Sequence, residues 1–205
     1  ALYYTAMNGF VEGAKLLLDG GAKIGFKHYT SKATPIMAAA SADKTEMVRL
    51  LLDRGADIES ADVLGTNALL LAANGLMYNT ASLLLERKAN VNAFIPGIGA
   101  NTLMYAINQA RADKEKDSIR MMNLLIEKGV NVNFQGSQGN TPLMYASGWG
   151  VVTKNPERAR ILLDKGAKIN MQNKKGETAL MMAASRGHVE IARLLIDRGA
   201  NPELR

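Results

Sequence analysis

Cysteine is absent from all 205 residues. That excludes disulfides, thiolate nucleophiles and cysteine-ligated zinc. Histidine occurs twice, at His28 and His188, 160 positions apart. This leaves little material for imidazole acid–base chemistry. Aromatic residues are 5% of the chain, with one tryptophan, Trp149. No apolar run approaches the length needed to cross a bilayer, so no membrane-spanning helix is expected. No signal peptide is recognisable, and a chain opening at Ala1 is compatible with a trimmed N-terminus. H-E-x-x-H, G-x-S-x-G and a phosphate-cradling Gly-rich loop ending in Lys-Ser/Thr are all missing. No stretch of five or more basic residues with interleaved aromatics occurs, which argues against nucleic acid as a partner.

What is present is periodicity. Lys175–Asn201 reads as two short amphipathic helices joined at Arg186-Gly187-His188 and stopped by Gly199. Thr178 stands at the N-cap of the first, where its hydroxyl can accept an orphan N–H. Leu180, Met181, Ala183 and Ala184 give that helix an apolar face. Ile191, Leu194, Leu195 and Ile196 do the same for the second. The leucine-type triplet before each helix stop recurs at Leu16, Leu50, Leu83, Leu124, Ile161 and Leu194, at intervals of 34, 33, 41, 37 and 33. A period near 33 signals a stacked repeat array. At 47% hydrophobic, the chain can bury a long, thin core in which each repeat touches its neighbours.

The repeated motifs carry a family resemblance. Thr34-Pro35-Ile36-Met37-Ala38-Ala39 and Thr141-Pro142-Leu143-Met144-Tyr145-Ala146 match T-P-L-H-x-A, with weaker copies opening at Asn67, Asn101 and Thr178. Gly55-Ala56-Asp57-Ile58-Glu59, Gly129-Val130-Asn131-Val132-Asn133 and Gly166-Ala167-Lys168-Ile169-Asn170 match G-A-(D/N)-(V/I)-N. The sequence resembles bacterial-type ankyrin repeat proteins. The resemblance implies an all-α ankyrin-repeat solenoid of about six helix–turn–helix units with β-hairpin fingers. It is expected to form a single domain over 1–205, with repeats at 1–25, 26–60, 61–92, 93–133, 134–170 and 171–205. The signature His is replaced by Met or another apolar residue throughout, so packing replaces its hydrogen bond. His188 falls in the family's Gly-His turn, where its ring is expected to serve the turn's own hydrogen bonds.

Three local expectations follow from the register. Asp43-Lys44-Thr45-Glu46 reads as a capping box. Seven extra residues around Gln109–Asp117 are expected to lengthen the first helix of repeat four before Asp117 or Ser118 caps the second. Four extra residues in repeat five lie around Trp149, with Asn155-Pro156 as N-cap and first helical residue. Asp113, Glu115 and Asp117 alternate with Lys114 and Lys116, and read as a solvated face, not a calcium loop.

The net charge is +6. Many of the cations, among them Arg54, Arg87, Lys88, Lys128, Lys165 and Arg198, follow the leucine runs near helix C-termini, where the macrodipole favours them. The resemblance implies a groove lined by finger tips and the ends of the first helices. By register, Val63, Leu64, Phe94, Ile95, Ile98, Asn108, Arg111, Lys114, Gln138, Trp149 and Arg186 are the partner-binding candidates. Val63, Leu64, Phe94, Ile95 and Ile98 are apolar where a tip is ordinarily polar, and contiguous exposed apolar groups mark interaction sites. Trp149, between two glycines, is of the residue type that most often anchors an interface. No catalytic, cofactor-binding or metal-ligating set is expected, and no cofactor.

The function expected is a non-enzymatic protein-binding module, a monomer, gripping a folded partner through groove, fingers and the insertions of repeats four and five. The partner could be an enzyme with an acidic or mixed surface, inhibited or masked in self-protection. The alternative is a secreted effector, or a scaffold segment of a longer ankyrin array. The compartment expected is periplasm or cytoplasm of a bacterium.

Overall fold

The computed structural model describes residues 1–108, 112–148 and 155–204. Among them are twelve α-helices, paired as hairpins, and two two-residue strands. The chain divides into two compact units, Ala1–Ile95 and Pro96–Arg205.

Unit 1 holds α1 Leu2–Asn8, α2 Val11–Asp19, α3 Pro35–Ser41, α4 Thr45–Asp53, α5 Ala68–Gly75, α6 Tyr78–Glu86 and β1 Phe94–Ile95. The inner helices α1, α3 and α5 stack in that order, and the outer helices α2, α4 and α6 follow them. Their contacts are built on small side chains: Ala6, Ala39, Ala40, Ala68, Ala72 and Ala73 are fully buried. Alanine lets two backbones approach closely at no cost in side-chain entropy.

Unit 2 holds β2 Ala100–Asn101, α7 Thr102–Asn108, a 3₁₀ turn Ala112–Lys114, α8 Glu115–Glu127, α9 Pro142–Ser147, α10 Glu157–Asp164, α11 Ala179–Ser185 and α12 Val189–Asp197. Here α7, α9 and α11 stack as the inner layer. Met104 and Met144 are fully buried at the signature His position, as packing groups. Capping follows the sequence: Thr178 Oγ1 accepts from Met181 N, Thr141 Oγ1 from Met144 N and Asn67 Oδ1 from Leu70 N.

Three expectations are corrected. Asp43 caps nothing; its φ is 53°, and its carboxylate accepts from Thr80 Oγ1 at 2.8 Å on the next outer helix. The reason is position. Asp43 fills the left-handed turn that Gly9 and Gly187 fill elsewhere, so its side chain points away from α4. The second helix of repeat four starts earlier than expected: α8 begins at Glu115, ahead of Asp117 and Ser118, and runs for 13 residues. The residues on which the expected extension of the first helix falls, 109–111, lie outside the described residues. Glu115 and Asp117 favour a helix N-terminus electrostatically. Ser118 is therefore inside the helix, its Oγ donating to Ala106 O at 2.7 Å. Finally, Asn155 Oδ1 accepts from Glu157 N, but Pro156 itself is the boundary residue of α10.

Each outer helix stops at a left-handed turn. Gly129 takes it with φ +86°, and Lys88 takes it with φ 71°. Both positions are exposed, and no atom lies within 4 Å of a Cβ built on Gly129, so backbone strain alone decides the cost. Lys88→Gly should stabilise by about 0.5–1 kcal/mol and Gly129→Val should destabilise by about 2 kcal/mol, since L-residues resist this region. Urea denaturation of the two variants tests the pair, which must move in opposite directions.

Candidate partner-binding surface

In unit 1 the fingers precede the inner helices. The carboxylate of Asp62 shapes the third finger, accepting from Leu64 N at 2.8 Å and Thr66 N at 2.9 Å. This Asx-type turn fixes the backbone so that Val63 and Leu64 both point outward, each 62% exposed. Val63 N donates to Ser31 O at 3.2 Å, which ties this finger to the one before it. The second finger presents Tyr29, also exposed, on a turn closed by His28 N to Ala33 O and Lys32 N to His28 O. His28 stacks between Tyr29 and Tyr3, with centroids at 5.1 and 5.0 Å, and Tyr4 stands edge-on to Tyr3 and His28. Tyr3 and Tyr4, both on α1, are not among the residues singled out from the sequence. The signal was there, since the first-helix register sets Tyr3 and Tyr4 beside the next finger.

Phe94 is exposed, but Ile95 is only 5% exposed. Ile95 is thus no contact residue but part of the packed interior, correcting the expectation of a uniformly apolar tip. Successive side chains on a strand point to opposite sides, so one of the two had to turn inward.

In unit 2, Ile98, Asn108, Lys114, Gln138 and Arg186 are all exposed. Arg111 and Trp149 lie outside the described residues. Lys114 is engaged locally, 3.7 Å from Asp117. Neighbouring fingers are joined here too. Ser137 Oγ donates to Ile98 O at 2.9 Å, and Lys174 N donates to Gln138 O at 2.9 Å. Arg186, Ser185, Glu177, Met182 and Gly148 line a cavity of about 90 Å³. Two residues passed over in the sequence are Tyr105 and Tyr145, at the same inner-helix position of successive repeats. Burial pushes both phenols above their ordinary pKa, and for Tyr145 the charge of Tyr105 adds to it. Both therefore stay neutral hydroxyls at physiological pH.

His188 is buried, with Nδ1 3.0 Å from the carbonyl of Ser147. The ring joins repeat six to repeat five; the expectation that it serves its own turn is corrected. Glu115, expected on a solvated face, is 22% exposed and lies 3.7 Å from the Arg158 guanidinium, itself 1% exposed. Among the described residues no group of three His, Asp or Glu side chains could hold a metal ion, and no helix is long and apolar enough to cross a membrane.

Comparison with known proteins agrees with this architecture. The family model for ankyrin repeats (3 copies) matches residues 2–95 and 103–205. Human ankyrin repeat and KH domain-containing protein 1 is 32% identical over 114 residues, which is 55% of this chain and 4% of that protein. A putative ankyrin repeat protein of Rickettsia bellii is 32% identical over 103 residues, 49% of this chain and 28% of that one. The chain thus spans a small fraction of the length of these curated relatives. Among solved structures, a chain in the complex of the Bd0816 predatory endopeptidase from Bdellovibrio bacteriovorus with immunity protein Bd3460 superposes with a TM-score of 0.82. It is 26% identical, with 96% of this chain and 97% of that chain covered. The human ASB11 ankyrin repeat domain superposes at 0.83 with 23% identity, covering 100% and 86%, a likeness of fold. Family repeats of this kind are interaction modules, and no catalytic family is indicated. With helical hairpins, capped inner helices and joined fingers in both units, and a family match along nearly its whole length, the chain belongs to the ankyrin repeat family.

Proposed function

We propose that this protein binds a folded protein partner through its finger tips and masks that partner, as an inhibitor of an enzyme. The observation that carries the reading is the row Tyr29, Val63, Leu64 and Phe94 in unit 1. Four large apolar side chains are held in water, Tyr29, Val63 and Leu64 on hydrogen-bonded turns and Phe94 on β1. Exposed apolar groups on pre-ordered backbone lose little entropy on binding, which is how a contact patch gains affinity. The likeness in unit architecture to a chain from an endopeptidase–immunity protein complex supports an enzyme as the class of partner. In this reading the array acts as one monomeric domain over 1–205, in a bacterial periplasm or cytoplasm, with Ile98, Asn108, Arg111, Lys114, Gln138, Trp149 and Arg186 as further contacts.

A second reading is a scaffold segment within a longer ankyrin array. It is favoured by the small share of the curated relatives that the chain spans.

The test is capture of partners on immobilised wild type and on Val63→Ser/Leu64→Ser/Phe94→Ser, followed by titration of the recovered protein. Losing a central apolar cluster is expected to weaken binding about a hundredfold. Stoichiometric loss of the partner's enzymatic activity on adding wild type, and not the triple variant, would support masking. Equal binding by both forms refutes the finger site.

A further inference from the structure

We propose that finger six and the end of α11, through Lys174, Lys175 and Arg186, take an acidic segment of the protein partner. This rests on the protein-binding reading above and names the chemistry of one part of the partner.

Charge is unevenly placed along the chain. Residues 1–95 carry nine Lys and Arg against nine Asp and Glu; residues 96–205 carry sixteen against ten, completing the 25 and 19 of the chain. The whole surplus of +6 belongs to unit 2.

Several cations of unit 2 already face a carboxylate. On the outer helices, Arg198 lies 2.7 Å from Asp164 of the preceding repeat and Arg160 3.5 Å from Glu157. Arg158 faces Glu115 and Lys114 faces Asp117. Among the described residues, no ion pair engages Lys174, Lys175 or Arg186. Glu177, the carboxylate beside them, accepts from Asn173 Nδ2 at 2.8 Å.

The backbone under Lys174 and Lys175 is fixed. Lys174 N donates to Gln138 O, and Lys175 N donates to Asn173 Oδ1 at 2.9 Å. Asn173 is itself buried. Lys174 and Lys175 occupy the register positions of Val63 and Leu64 in finger three, four and three residues before the helix N-cap. The tip positions that are apolar in finger three are therefore dibasic here. Arg186 adds a guanidinium at the rim of the small cavity beside Ser185, a geometry suited to a carboxylate. Protein is favoured over nucleic acid because residues 171–186, which supply finger six and α11, include no aromatic side chain on which a base could stack.

The test uses the intact chain and a fluorescently labelled polyglutamate peptide, read by anisotropy. Wild type should bind it, with affinity falling as salt rises to about 0.3 M, where surface charges are screened. Lys174→Glu/Lys175→Glu should weaken binding about tenfold, Arg186→Gln less, and the charge-matched control Lys165→Glu/Lys168→Glu by less than about twofold. Equal loss in both double variants, or no binding by wild type, overturns the assignment. So does tighter binding of a single-stranded DNA oligonucleotide that is lost in the same variant. Val63→Ser/Leu64→Ser/Phe94→Ser should leave peptide affinity unchanged, so failure here and failure of the apolar finger site are read by different variants.

Discussion

Replacing Arg158 with alanine is expected to destabilise unit 2 by about 3 kcal/mol, because the change empties a fully buried site and removes the cation facing the Glu115 carboxylate. Arg158 stands three residues before the leucine-type triplet of its helix, where Met47, Met121 and Ile191 stand in other repeats, all three buried. It is a cation in an apolar column. Burial pulls its guanidinium below the ordinary pKa, and the Glu115 carboxylate, 3.7 Å away, pushes it back up. The pair joins the start of α8 to the start of α10, the two helices that follow the insertions. Glu115→Ala should be damaging in the same way, since it leaves a charge that cannot be shed. Arg158→Met together with Glu115→Ala removes both charges and should recover most of the loss, because well-packed apolar groups replace a buried ion pair at little net cost. Urea denaturation of the two single variants and the double variant forms a cycle. Additive losses, with no recovery in the double variant, would show that the two side chains act independently.

Gly99→Ala should destabilise unit 2 by about 3 kcal/mol or more, combining left-handed backbone strain with overpacking. Gly99 has φ +69°, and a Cβ there would collide with Ser137 N and come within 2.8 Å of Ser137 Cα. These are backbone atoms of the next finger and cannot rotate away. Gly136 faces Gly99 from the other side, its own Cβ position blocked by Gly99 O. The consequence is local: fingers four and five must part, and the bond from Ser137 Oγ to Ile98 O opens. Hydrogen exchange at these finger amides should rise at least tenfold in Gly99→Ala while the α9 core stays protected. Unchanged exchange in the finger would show that the close approach does not hold the two tips.

The helical hairpins were legible because the triplet period and the Thr-x-Leu openings report one-dimensional spacing, which a linear sequence carries directly. Thr178 and Thr141 cap as their positions required, and Met104 and Met144 pack where the signature His was replaced. The candidate surface was legible where a turn is set by its own residues. Asp62 and Gly65 define a finger, so Val63 and Leu64 point outward. It was not legible where a neighbour decides. Ile95 turns inward and Phe94 outward, although both read as apolar tip residues.

The sequence alone determined the repeat register, the all-helical class, the Thr178 and Thr141 caps and the absence of thiol chemistry, because each depends on residue type and short-range spacing. Tertiary structure decided that α8 starts as early as Glu115, that Arg158 is buried, that His188 reaches Ser147 and that Gly99 meets Gly136. Each of these depends on what a second, distant segment places against the residue, and burial changes the energy of a charge or a methyl group far more than its identity does.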